Sequence, residues 1–283
     1  MNKIPSTIGV GSDMELFLYD NETQQVVPCV GILPGTKDSP FQPDGMPDGF
    51  AIQEDNVMVE YNVPPASSFQ QFAKNMRKGR VMVLSELVKL YGSRYGLYTK
   101  SPSHTFDPVF LTTPQSTTIG CEPDFDAYEG GQMRYNPPPP GNVRSCGGHV
   151  HLGGDFKCPD FVAALFAELF IGVRGRIHAS PTSQRSAWYG KPGIYRPKPY
   201  GVEYRTPDNQ WSTDPNQCEK MGAYALACAR WLTETESVKI QQAFRTIPWL
   251  KVRDFMRGPK STESSKLLYH QVVQAAMKAG VPL

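Results

Sequence analysis

The chain has 283 residues, and its 29 Lys and Arg against 27 Asp and Glu leave a formal net charge of +2. That balance excludes the sequence-wide field of a protein built to coat nucleic acid or an anionic membrane surface, so any charge-based function must be local. With 40% apolar and 11% aromatic residues the composition excludes a disordered chain and is enough for a substantial core.

Residues 7–19 alternate apolar and polar side chains and predict a strand, with residues 22–28 as its hairpin return. A loop rich in Gly, Pro and Asp follows over 34–49. A second strand is predicted over 56–63, stopped by Pro64-Pro65, which remove two ladder donors. Residues 67–91 carry helical spacing, with Ser67 or Ser68 placed to cap the first turn. Residues 99–145 read as irregular and include NPPPPG at 136–141, a stiff spacer expected on one rim of the site. A short strand over 148–152 precedes a helix from Pro159 to about Ala179, in which Phe161, Leu165, Leu169 and Val173 recur at helical spacing. A strand over 201–206 leads into helices over about 216–233 and from Glu236 to the C-terminus. With no internal repeat or linker, residues 1–283 are expected to form one α+β domain, strand-rich to about 210 and helical from about 211.

The chemistry lies in the strands. Side chains in a strand alternate between faces, so a residue and its second neighbour point the same way. In SDMELFLY, Met14, Leu16 and Leu18 oppose Asp13 and Glu15; in NVMVEYNV, Val57, Val59, Tyr61 and Val63 oppose Glu60 and Asn62. In GGHVHLG, Val150 and Leu152 oppose His149 and His151, and in GVEYRTP, Val202 and Tyr204 oppose Glu203 and Arg205. If the four share one sheet, four carboxylates meet two imidazoles and an arginine on one face. Crowded carboxylates bind protons or cations, and an oxygen-rich set with an imidazole suits Mg²⁺ or Mn²⁺ better than zinc. Such ions clamp nucleotide phosphates, Arg205 is placed to stabilise a transferred phosphoryl group, and Arg196 and Lys198 add two cations.

In order and content these motifs resemble the glutamine synthetase and glutamate–cysteine ligase superfamily, and more closely its phage-type carboxylate–amine ligases (amidoligase type 2). Asp13-Met-Glu15 resembles the first-strand acidic pair, Glu60-Tyr-Asn62-Val-Pro-Pro the second-strand motif, Gly147-Gly-His149-Val-His151 the glycine–histidine strand, and Glu203-Tyr-Arg205 the late strand. The resemblance spans roughly residues 9–207. It implies a curved, mainly antiparallel sheet with helices on one face and the active site on the other. It implies further that ATP and Mg²⁺ (or Mn²⁺) are used to phosphorylate a carboxylate, and that an amine then attacks the acyl phosphate. On the matching positions, Glu15, Glu60, His149 and Glu203 become metal ligands, Arg205 sits on the phosphates, and His151 and Asn62 lie near nucleotide or substrate. Asp13 stands where many relatives carry glutamate, which shortens its reach and allows it to act through a water. The catalytic group is then Glu60, Glu203, Arg205 and His151.

The substrates implied are a small-molecule or peptide carboxylate and an amine, with no membrane or nucleic-acid partner. No run approaches the roughly 20 apolar residues of a membrane span, and MNKIPSTIGVGSDMELF lacks a leader's apolar core and cleavage site. The expected location is cytoplasmic, the infected host's if the chain is phage-encoded. The six cysteines (29, 121, 146, 158, 218 and 228) show no C-x-x-C pair and read as reduced packing thiols, with Cys146 beside the histidine strand as a minor candidate nucleophile. Gly9-x-Gly11 reads as a bulge rather than a phosphate loop. Arg185, Tyr189, Arg196 and Lys198 form a candidate substrate or phosphate grip. Cys121-Glu-Pro-Asp124 resembles a substrate-side loop of the phage-type relatives and reads equally as a turn. His104, His178 and His270 read as structural. Competing functions are a metal-dependent amidohydrolase, which requires a repeating strand–helix barrel, phosphoryl transfer to a guanidinium compound, and a non-catalytic nucleotide- or metal-binding module.

Overall fold

The computed structural model describes residues 7–117, 123–134, 141–176, 185, 189–258 and 262–283. The strands are β1 (Gly9–Asp20), β2 (Gln25–Val27), β3 (Ala51–Asp55), β4 (Met58–Ala66), β5 (Tyr95–Tyr98), β6 (Ser103–Thr105), β7 (Asp124–Asp126), β8 (Gln132–Arg134), β9 (Val143–Ser145), β10 (Gly148–Gly153), β11 (Ile194–Lys198) and β12 (Gly201–Tyr204). The main sheet runs β3-β4-β1-β10-β12-β11-β7-β8 with antiparallel neighbours, while β2 and β5 pair with the far end of β1 and β6 pairs with β9. This is an α+β fold, and among the described residues there is no strand–helix repeat of the kind a hydrolase barrel requires. All four motif strands are adjacent in it, in the order β4-β1-β10-β12.

The helices are α1 (Phe69–Tyr91), α2 (Pro114–Thr117), α3 (Asp160–Ala167), α4 (Arg174–Arg176), α5 (Pro215–Glu234), α6 (Ser237–Thr246), α7 (Trp249–Arg257) and α8 (Glu263–Lys278). A π-helical segment, Glu168–Val173, joins α3 to α4. Among the described residues no helix is long and apolar enough to cross a membrane. Ser68 caps α1, its hydroxyl accepting from the Gln71 amide. The α1 glycine, Gly79, lies against Tyr61 and Val63 of β4, where an added Cβ would come within 2.6 Å of the Tyr61 ring. The apolar side chains of the sheet therefore face the helices. Gly79→Ala should destabilise the protein by about 1–3 kcal/mol even though alanine is the better helix former, because the overpacking outweighs a propensity gain of about 1 kcal/mol. Thermal unfolding checks this, and a raised melting temperature would mean that Tyr61 yields freely.

Several boundaries differ from the sequence reading. The strand predicted over 56–63 is the second arm of a β3–β4 hairpin turning at Asn56, a non-glycine residue with φ +56°. Pro64 and Pro65 do not end β4: Ala66 still pairs with Val10, across a register irregularity that absorbs the missing donors. Val57 precedes β4 and packs with Phe17, Val26, Met58, Phe106 and Cys146 in a second apolar cluster. The region read as irregular contains β6 to β9, too short to show periodicity. Arg196 and Lys198, which fall in none of the predicted strands, are on β11. The predicted C-terminal helix is three helices, broken at Pro248, which cannot continue α6, and again after Gly258. Most of the 136–141 proline segment lies outside the described residues, as do His178, Cys121 and Glu122.

Candidate active site

Antiparallel register places the polar side chains together. Asp13 lies opposite His149 on β10 and Asn62 on β4, Glu15 opposite Glu60, His151 opposite Glu203, and Glu203 opposite Arg196 on β11. Directly opposed residues share a face, so these side chains occupy the face turned away from α1. Most are buried, Glu203 at 1% exposure and His149 at 2%.

Two groups of ligand-bearing atoms result, each within 4.8 Å: Asp13, His151 and Glu203, and Glu15, Asp55 and Glu60. Asp13 and Glu15 are two residues apart on β1, so the groups are offset by about 7 Å along the strand. Of the five residues expected as metal ligands, Asp13 and Glu203 fall in the first group and Glu15 and Glu60 in the second, His149 is in neither, and two others join them. His151 belongs to the first group. Asp55, which no motif flagged, completes the second from the end of β3; the two-residue alternation with Gln53 along β3 was the only sequence signal for it.

The second group is an all-oxygen site. Gln53 Nε2 donates to Glu60 Oε1 at 2.7 Å, and the Gly147 amide donates to Glu15 Oε2. Burial, followed by the charges of Asp13, Asp55 and Glu15, pushes the Glu60 carboxyl well above its usual range. Asp55 is also raised, by burial and then by Glu15. Carboxyls held above their usual range by burial and crowding, with Lys37 offsetting only part of the effect, are what a hard divalent cation would find here.

The first group is already cation-rich. Burial works to raise the Asp13 carboxyl, but the adjacent imidazoles of His151 and His149 hold it well below the usual carboxylate range. Burial likewise opposes the Glu203 charge, yet Arg205 beside it brings its pKa to about 2. Lys198 Nζ lies 2.8 Å from Glu203 Oε2, and Arg205 pairs with the other oxygen. Asp124, at the start of β7, receives Arg205 Nε at 2.9 Å and Arg196 Nε at 3.2 Å. Cys121-Glu-Pro-Asp124 therefore contributes its aspartate as the anchor of two arginines.

The two histidines differ in the options left to them. His149 Nε2 faces the Arg185 guanidinium at 3.2 Å. Its Nδ1 lies 3.3 Å from both Asp13 Oδ1 and Arg205 Nη1, so a guanidinium, which can only donate, stands at each ring nitrogen. His151 Nδ1 meets the Tyr200 hydroxyl at 2.7 Å, with the two rings stacked. A phenol can accept as well as donate, so the Nε2 lone pair of His151 can be released toward Asp13 and Glu203. Tyr200 carried no sequence signal. Asn62 is on this face beside Asp13 but in neither group. Arg185 reaches the site, with Tyr189 5.9 Å from its guanidinium. Cys146 is fully buried, which pushes its thiol well above the usual value and removes it as a nucleophile. His104 packs edge-on against Phe106, apart from this cluster.

Residues 138–261 match the family model described as phage phiEco32-like COOH·NH2 ligase, type 2. That stretch carries His149, His151, Arg196, Lys198, Glu203 and Arg205, while Asp13, Glu15, Asp55 and Glu60 lie before it. No curated protein matches the chain.

Proposed function

We propose that this chain, a carboxylate–amine ligase by its family match, uses ATP and divalent cations to form an amide through an acyl phosphate. The observation that carries the reading is the juxtaposition on one sheet face of an all-carboxylate group with a carboxylate–imidazole group and the cations Arg196, Lys198 and Arg205. The donor sets fit Mg²⁺ or Mn²⁺: Glu15, Asp55 and Glu60 would hold one ion, and Asp13, His151 and Glu203 a second. Bound there, the ions would neutralise phosphate charge and polarise the transferred phosphoryl group.

Arg205 would follow charge onto the transferred phosphoryl, because its partners Glu203 and Asp124 fix the guanidinium beside the carboxylate–imidazole group. Arg196 and Lys198 would hold the remaining phosphate oxygens. His149 is better suited to positioning than to ligation, since it bridges Asp13 and Arg185. The family match supports the amide-forming class; the nucleotide and the ions rest on the donor chemistry. Calorimetric titration with a non-hydrolysable ATP analogue should give micromolar or tighter binding that requires Mg²⁺. No heat with Mg²⁺ present would remove the nucleotide from this reading. With carboxylate, ATP and Mg²⁺ supplied, hydroxylamine should trap a hydroxamate, whereas nucleotide turnover without one would exclude an acyl phosphate.

A further inference from the structure

We propose that Glu168, on the opposite side of the sheet from the site, is a positioning residue that aims Arg196, Lys198, Glu203 and Arg205 from behind; the functional part of this inference rests on the ligase reading. Glu168 is fully buried at the start of the π-helical segment. Its Oε2 accepts from the Gly193 amide at 2.7 Å and from the Tyr204 hydroxyl at 2.8 Å. The Thr206 hydroxyl lies 3.3 Å from the same oxygen and shares its proton with the Lys191 carbonyl at 3.0 Å.

These contacts bracket the cationic strand pair. Gly193 is the residue before β11, which carries Arg196 and Lys198. Tyr204 stands between Glu203 and Arg205, and Thr206 follows them. Because side chains alternate, fixing the Tyr204 phenol on the helix side fixes the strand's rotation and so the direction in which Glu203 and Arg205 leave the other face. Strands β11 and β12 are in register as Tyr195 with Tyr204 and Arg196 with Glu203, and the Arg205 amide donates to the Ile194 carbonyl. One carboxylate oxygen thus ties the entry of one strand to the exit of the other.

The helix is shaped for this contact. A π-turn widens the backbone locally and is frequent where a helix serves a site. Within the π-turn, Gly172 leaves the space that the Tyr204 hydroxyl enters: a Cβ there would lie 2.4 Å from that oxygen. Glutamate and glycine four residues apart on one helix face therefore make a socket for a tyrosine from the sheet.

The test combines hydrogen exchange, followed by mass spectrometry, with binding of the Mg²⁺-loaded ATP analogue on the full chain, well below its melting temperature. Glu168→Leu should speed exchange over residues 193–206 by about tenfold or more, leave β1, β4 and α5 protected, and weaken the analogue by about tenfold. Glu168→Gln, whose amide oxygen still accepts, should restore both to within about threefold. Wild-type exchange over 193–206 in Glu168→Leu, or faster exchange throughout the chain, would overturn the proposal. So would locally faster exchange with undiminished analogue binding. If Glu168→Leu does not fold, Gly172→Ala asks the same question with the carboxylate retained, and its Cβ should displace the phenol with the same local signature. If the wild-type protein fails to bind the analogue, the ligase reading falls, and the exchange pattern alone decides whether Glu168 anchors these strands.

Discussion

Replacing Glu60 with glutamine should abolish Mg²⁺-dependent nucleotide binding and lower turnover by at least about 100-fold, yet raise the melting temperature of the metal-free protein. Both effects have one cause. Glu60 is buried beside Glu15 and Asp55, and burial together with these charges holds its carboxyl well above the usual range. A carboxyl whose pKa is higher folded than unfolded contributes most stability below its unfolded value and loses it as pH rises through the folded value. At neutral pH the carboxylate therefore opposes folding, and a neutral isostere that still accepts from Gln53 relieves that cost. Each kcal/mol relieved should appear as roughly 2–4 °C in a chain of this size. The same shift should set the pH dependence of metal uptake at the proposed cation site. Cation binding must displace the proton, so Mg²⁺ affinity should tighten as pH rises toward the Glu60 pKa and level off above it, with protons released in calorimetry. Glu60→Gln protein that melts lower than wild type, or that still binds the analogue with Mg²⁺, would sink the assignment of this group as a cation site.

How much of this was legible depends on the length of each element. In β1, β4, β10 and the segment through β12 alternation declares itself, and it assigns Asp13, Glu15, Glu60, His149, His151 and Glu203 to one polar face. Alternation gives a side chain its face but not its partner across the sheet. Only the antiparallel register shows that Glu15 meets Glu60 and that His151 meets Glu203, and hence how the carboxylates divide into two groups. Asp55 was hidden because it is the last residue of β3, at the turn into β4, where an aspartate reads as turn chemistry. Asp124 is on a three-residue strand and Tyr200 in a two-residue turn, and neither is long enough to carry a periodic signal. Glu168 was hidden by its surroundings, since a carboxylate in an apolar helix gives no sign of which tyrosine will reach it.

Glu203→Gln should inactivate the protein as Glu60→Gln does but move stability in the opposite direction. Glu203 is 1% exposed, and with Arg205 on one oxygen and Lys198 on the other its pKa falls to about 2 from an ordinary 4.5. A depressed carboxyl contributes stability above its unfolded pKa and loses it as pH falls through the folded one. At about 1.4 kcal/mol per pKa unit, the shift corresponds to stabilisation on the order of 3 kcal/mol at neutral pH. Glutamine takes from the buried Arg205 charge one of its carboxylate partners but leaves it paired with Asp124, while Lys198, 31% exposed, is partly rehydrated. The cost should therefore sit at the lower end of the roughly 3–5 kcal/mol seen when one partner of a buried pair is removed. Urea unfolding across the acid range gives the decisive signature. The gap between wild type and Glu203→Gln should be constant above the ordinary 4.5, shrink as pH falls, and close near pH 2. A gap that does not change with pH would mean that the carboxylate acts through shape rather than charge. Because Glu60→Gln and Glu203→Gln should both be inactive while one melts higher and the other lower, loss of activity in this pair cannot be ascribed to loss of fold.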